Sequence, residues 1–172
     1  GLMRLIHREA HAAEKLSDVV KRVNAYLVKE KHRAHQASLC LFDVDTQNRR
    51  LRVAKAGRLG MVLCGPGRDL NNISAPGGSF PGMVDSAAVK EEVYDVRPGQ
   101  ALVVVAEGFY NTKNRLNIQP QMHWFLDALS EIVAARGRTP LANAVFAAQE
   151  GAGDFTGRQE DTMLAVSVEH MD

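Results

Sequence analysis

Five consecutive apolar residues, Ala101 to Val105, stand just after the turn former Pro98–Gly99. A strand with one wet face alternates polar and apolar side chains, and this run does not. It reads as a strand covered on both faces, at the centre of a layered fold.

The rest of the chain is arranged around that strand. Upstream the periodicity is first helical. Leu2, Leu5, Ile6 and Ala13 fall on one side of a first helix. Ser17 and Asp18 are placed to cap a second, in which Val19, Val20, Val23, Tyr26 and Leu27 form an apolar stripe. From Ser38 the pattern turns strand-like. Strands are predicted over Ser38–Val44, Arg49–Ala56 and Leu59–Cys64, separated by Asp45–Asn48 and by Gly57. Such short connections predict a three-strand antiparallel meander. Asn71–Gly82 reads as a loop rich in Gly, Pro and Ser, and Val89–Val96 as a further strand. Gln119 to Arg136 carries the clearest helical stripe, made by Met122, Phe125, Leu126, Leu129, Ile132 and Val133. Thr139 and Pro140 open another helix through Ala148, and Thr162–Val168 is a last strand. Segregated strands and helices with hairpin connections predict the α+β class. The expected architecture is a layered sandwich of mainly antiparallel β-sheet with packed helices, in a single domain over residues 1–172.

Charge and apolar runs exclude several partners. The chain has 21 Lys and Arg against 20 Asp and Glu, a net charge of +1. That balance makes no electrostatic case for nucleic acid or for an anionic membrane. No apolar run approaches the roughly 20 residues that span a bilayer. Cys40 and Cys64 lie in apolar strand-like runs and read as reduced, buried thiols of a cytoplasmic protein. His7 and His11 are spaced for one helix face, but the intervening Arg8-Glu9-Ala10 lacks the metalloprotease order, and they read as a surface pair. Ser79 and Ser130 have no visible triad partners.

Several segments, taken in order, resemble one family. Leu41-Phe42-Asp43-Val44-Asp45-Thr46 leads into Leu51-Arg52-Val53-Ala54-Lys55-Ala56-Gly57. Phe80-Pro81-Gly82, Val96-Arg97-Pro98-Gly99-Gln100 and Ala106-Glu107-Gly108-Phe109-Tyr110 follow, and then Gln159-Glu160-Asp161-Thr162-Met163-Leu164. The set resembles the SpoIIE-like and RsbU-like metal-dependent phosphatases of the 2C type. It is similar to their hydrophobic-Asp strand and turn, Ala-Gly pair, Leu-Pro-Leu-Gly stretch, Leu-x-Pro-Gly-Asp turn, Thr-Asp-Gly and Asp-Asp-x-Thr. The resemblance spans almost the whole chain.

What the resemblance implies is a bacterial signalling phosphatase. Two divalent metals, manganese or magnesium, would hold a water for attack on phosphoserine or phosphothreonine of a regulator such as an anti-sigma-factor antagonist. Hard cations of this kind need oxygen ligands, chiefly carboxylates. Matched to the family's motifs, the metal positions are Glu107, Gly108, Glu160 and Asp161. The sequence departs from the family at each main metal position. The early Asp-Gly strand would precede Gly1, so the first strands of the fold are expected to be lacking. Glu107 and Glu160 stand where the family has Asp, and Asn111 replaces a further acidic residue. The extra methylene of Glu moves a carboxylate by about 1.5 Å, against a ligand tolerance of roughly 0.2 Å. Two functions follow from this. One is an active phosphatase with a residual metal site. The other is a pseudophosphatase that binds a partner protein and no metal, with Glu107 ending a strand and Glu160 a solvated loop residue. A missing strand would leave a sheet edge open, which favours a homodimer.

Overall fold

A computed structural model of the chain describes residues 2–12, 14–29, 38–65, 70–73, 79–84, 88–106, 126–127, 129–132, 143 and 163–167. Two helices, α1 (Leu2–Ala12) and α2 (Leu16–Lys29), precede seven strands. These are β1 (Leu39–Asp45), β2 (Arg50–Ala56), β3 (Leu59–Cys64), β4 (Leu70–Asn72), β5 (Glu91–Asp95), β6 (Ala101–Ala106) and β7 (Met163–Ser167). They form a three-stranded sheet in the order β1-β2-β5 and a four-stranded sheet in the order β4-β3-β6-β7. The ladders β1–β2, β2–β5, β3–β4 and β6–β7 are antiparallel. The α+β class therefore stands.

The chain divides into two compact units, Gly1–Leu59 with Ala75–Val96, and Gly60–Ser74 with Arg97–Asp172. In the first, α2 lays its predicted stripe down: Val19, Val20 and Val23 are fully buried, and Tyr26 and Leu27 half-buried. Val20 meets Ala54, Ala56 and Val89, with Leu16, Leu39 and Leu41 packed around them. The small side chains of β2 let the helix approach the sheet. In the second unit, β6 lies between β3 and β7. All its residues from Ala101 to Val105 are buried, as an apolar run without alternation demands.

Three expectations are corrected. The meander is broken at Gly57: β1 and β2 pair as predicted, but β3 joins the other sheet and β5 takes the place beside β2. Turn length alone implied the meander, yet Gly57 holds a φ of 85° that turns the chain out of the first sheet. A Cβ there would sit 2.6 Å from Ser38 Oγ and 2.9 Å from Phe80 Cδ1. Burial agrees, since β2 from Val53 and β3 from Gly60 are covered on both faces. Second, the predicted loop over Asn71–Gly82 begins inside β4, a three-residue strand too short to leave a period. Third, α2 begins at Leu16, before the expected caps, and Ser17 is a buried helix residue. Its N-terminal amide is satisfied from far along the chain, by Glu91 (Leu16 N to Glu91 Oε2, 2.6 Å).

Residues 126–127 and 129–132 are helical with Leu129 fully buried, in line with the long stripe predicted there. Met122, Phe125 and Val133 lie outside the described residues, as does the helix expected after Thr139 except for Asn143, which is helical.

Candidate functional site

The motif-bearing segments fall in both units. In the first, Asn24 occupies a polar position inside the apolar stripe of α2 and is 2% exposed. Both ends of its side-chain amide are bonded. Nδ2 donates to the Val84 carbonyl (2.9 Å), and Oδ1 accepts from the Gly82 amide (2.8 Å). This pins Phe80-Pro81-Gly82 against the helix, where Met83 N closes a turn onto the Phe80 carbonyl (3.2 Å). Gly82 has a φ of 84°, and a Cβ on it would meet Leu27 Cβ at 2.9 Å. Phe80 in turn lies against Gly57, so the Ala56–Gly57 and Phe80–Gly82 segments are brought together. Asn24 was missed at the sequence level; its signal was a polar residue at helical spacing between Val20 and Leu27.

A charged cluster crosses the same sheet. Asp43 and Arg52 are direct cross-strand partners. Arg52 donates through Nε (3.1 Å) and NH2 (2.6 Å) to Asp43 Oδ2, and through NH1 to the Glu14 carbonyl (3.2 Å). Glu91 Oε1 lies 4.0 Å from the same guanidinium. Its bond to Asp43 holds Arg52 still more firmly protonated than usual. These carboxylates do not fit a divalent metal, because a fixed cation already faces them. Among the described residues no group of three or more His, Cys, Asp and Glu could hold a metal ion.

Cys40 and Lys55 are also cross-strand partners. Burial pushes the Cys40 thiol up to about 11 and lowers the Lys55 amine, whose Nζ donates to the Leu59 carbonyl (3.1 Å). A protonated thiol is a poor nucleophile. Cys64 is buried and donates to the Ala101 carbonyl (3.3 Å).

The metal positions implied by resemblance, Glu107, Gly108, Glu160 and Asp161, lie outside the described residues, as does Asn111. The strands next to them in sequence are described. β6 ends at Ala106, immediately before Glu107, and β7 begins at Met163, shortly after Glu160 and Asp161. Val105 pairs with Met163, so the C-terminal end of β6 and the N-terminal end of β7 lie side by side.

Residues 1–170 match the family of stage II sporulation protein E, SpoIIE. The chain belongs to the SpoIIE family. No curated protein matches it. Solved structures of similar fold include the RsbU and RsbW domains of a Mycobacterium tuberculosis protein (TM-score 0.74, 15% identity, 95% of this chain and 44% of that one). The SiaA-PP2C domain of Pseudomonas aeruginosa has a TM-score of 0.76 at 16% identity, over 96% of this chain and 67% of that one. The phosphatase domain of SpoIIE from Bacillus subtilis, presoaked with manganese, gives 0.61 at 13% identity, over 98% and 74%. The chain thus spans less than half of the RsbU–RsbW structure. Its fold is that of the SpoIIE-family 2C-type phosphatase domains.

Proposed function

We propose that this SpoIIE-family domain is a cytoplasmic bacterial signalling phosphatase, hydrolysing phosphoserine or phosphothreonine on a regulatory protein such as an anti-sigma-factor antagonist. The observation that carries the reading is the β6–β7 register, which sets the chain leading into Glu107 beside the chain leading out of Asp161. Carboxylates gathered at one sheet end are what a hard divalent cation needs. Glu107, Glu160 and Asp161 would hold manganese or magnesium, with Gly108 allowing a close backbone approach. When bound, the metal supplies Lewis acidity and an activated water for in-line attack on phosphorus. The chain's own part would be to present negative oxygen atoms from the segments that follow β6 and precede β7.

A regulatory protein partner is in keeping with RsbU and RsbW sharing one solved structure and with PppA, a regulatory component in Pseudomonas aeruginosa, among the similar folds. Among the described residues β1 is an edge of its sheet, the place where two copies would pair to form a homodimer.

One observation favours the second reading, a pseudophosphatase acting by protein binding. At Glu107 and Glu160, Glu stands where the family uses Asp. Manganese-dependent hydrolysis of a phosphoserine peptide, with calorimetric manganese titration alongside, separates the two. The enzyme requires metal uptake and turnover that both disappear in Glu107→Ala. Absence of both in the folded wild-type chain leaves the binding module.

A further inference from the structure

β5 could lie on β2 in more than one register, and its own apolar pattern does not choose between them. As observed, Glu91, Val93 and Asp95 share the face of Asp43 and Arg52, while Glu92 and Tyr94 share that of Leu51 and Val53. Val93 is 52% exposed and Tyr94 half-buried. A one-residue slip would exchange the faces, covering Val93 and exposing Tyr94. One apolar side chain is covered in either case, so burial within the strand discriminates weakly.

The residues at the start of β5 discriminate strongly. Glu91 stands opposite Ala54 and accepts the Leu16 amide at the N-terminus of α2 (2.6 Å), beside Arg52. Val89, one pleat earlier, is buried among Val20, Ala54 and Ala56. Lys90 lies between them. A slip one way would bring Lys90 to the station of Glu91, setting an ammonium against Arg52 and the positive end of the helix. A slip the other way would bring Lys90 into the place of Val89, burying a charge in an apolar core. Either way Lys90 is in the wrong place.

We propose that Val89-Lys90-Glu91 is a register lock, in which α2 fixes which face β5 turns to Arg52 and thereby ties the helix to the sheet edge. The lock is reciprocal, because Glu91 also completes the first turn of α2.

Cross-strand backbone NOEs in the full 172-residue chain read the register directly. The wild type and Glu91→Gln, which keeps an acceptor oxygen, should pair Arg52 with Val93. The double variant Lys90→Glu/Glu91→Lys moves the carboxylate back by one residue and should pair Arg52 with Glu92. Retention of the Arg52–Val93 pairing at full intensity in that variant would overturn the lock. Should the double variant not fold, hydrogen exchange of Glu91→Ala decides. Exchange of the Leu16 amide and of the β5 amides should rise about fivefold to tenfold, as loss of a helix cap implies, with β6 unchanged. Unchanged exchange at β5 would equally overturn it.

Discussion

Asn24 illustrates what a single residue contributes. A buried amide must satisfy both ends of its side chain, and Asn24 does so on the backbone of one short loop, at Gly82 and Val84. Asn24→Leu keeps the branching of the side chain but strands a buried amide N–H and a carbonyl. Urea unfolding should show a loss of roughly 2 kcal/mol or more. Gly82→Ala forces a non-glycine residue into a left-handed conformation with its Cβ against Leu27, and about 1–3 kcal/mol of stability should go with it. Cys40 carries a pH signature. Its folded thiol, at about 11, binds its proton more tightly than the unfolded thiol near 9.0. Its contribution is therefore whole below pH 9 and fades as pH rises through 11. The stability difference between wild type and Cys40→Ala should shrink across that window; Lys55, shifted the other way by burial, is common to both proteins and largely cancels. Burial of Asn24 follows from its spacing against Val20 and Leu27. Its partners lie some 60 residues away and have no local signal.

Among the elements, the body of α2 was legible, because an apolar stripe at helical spacing has few other ways to be buried. Val20 sits where that stripe meets Ala54 and Ala56. Val20→Ala should cost roughly 2 kcal/mol in the same unfolding experiment, the transfer of two methyl groups plus a residual cavity. The start of α2 was less legible. Ser17 and Asp18 have cap chemistry, but Glu91 on β5 supplies the acceptor, and the helix extends to Leu16 to reach it. β3 was legible as a strand and misassigned to a sheet. Its period and its short connection to β2 are the same whether the chain folds back or moves on. The left-handed φ at Gly57 and the crowding of Ser38 and Phe80 around it decide that.

For the whole molecule, near-balance of charge limits what it will hold. With 21 basic and 20 acidic residues, duplex DNA should show no mobility shift at micromolar protein even in low salt, since no net counterion release is available. No helix among the described residues is long and apolar enough to cross a membrane. The sequence by itself determined the α+β class, the pairing of β1 with β2, the buried strand β6 and the family, because these rest on local periodicity and on motifs in chain order. The tertiary structure alone decided that β3 leaves the first sheet, that β5 replaces it, that Glu91 caps α2 and that Asn24 holds the Phe80–Gly82 loop. Each of these joins residues far apart in the chain. Such contacts form only after both partners have been brought together by packing, and no spacing in the sequence records them.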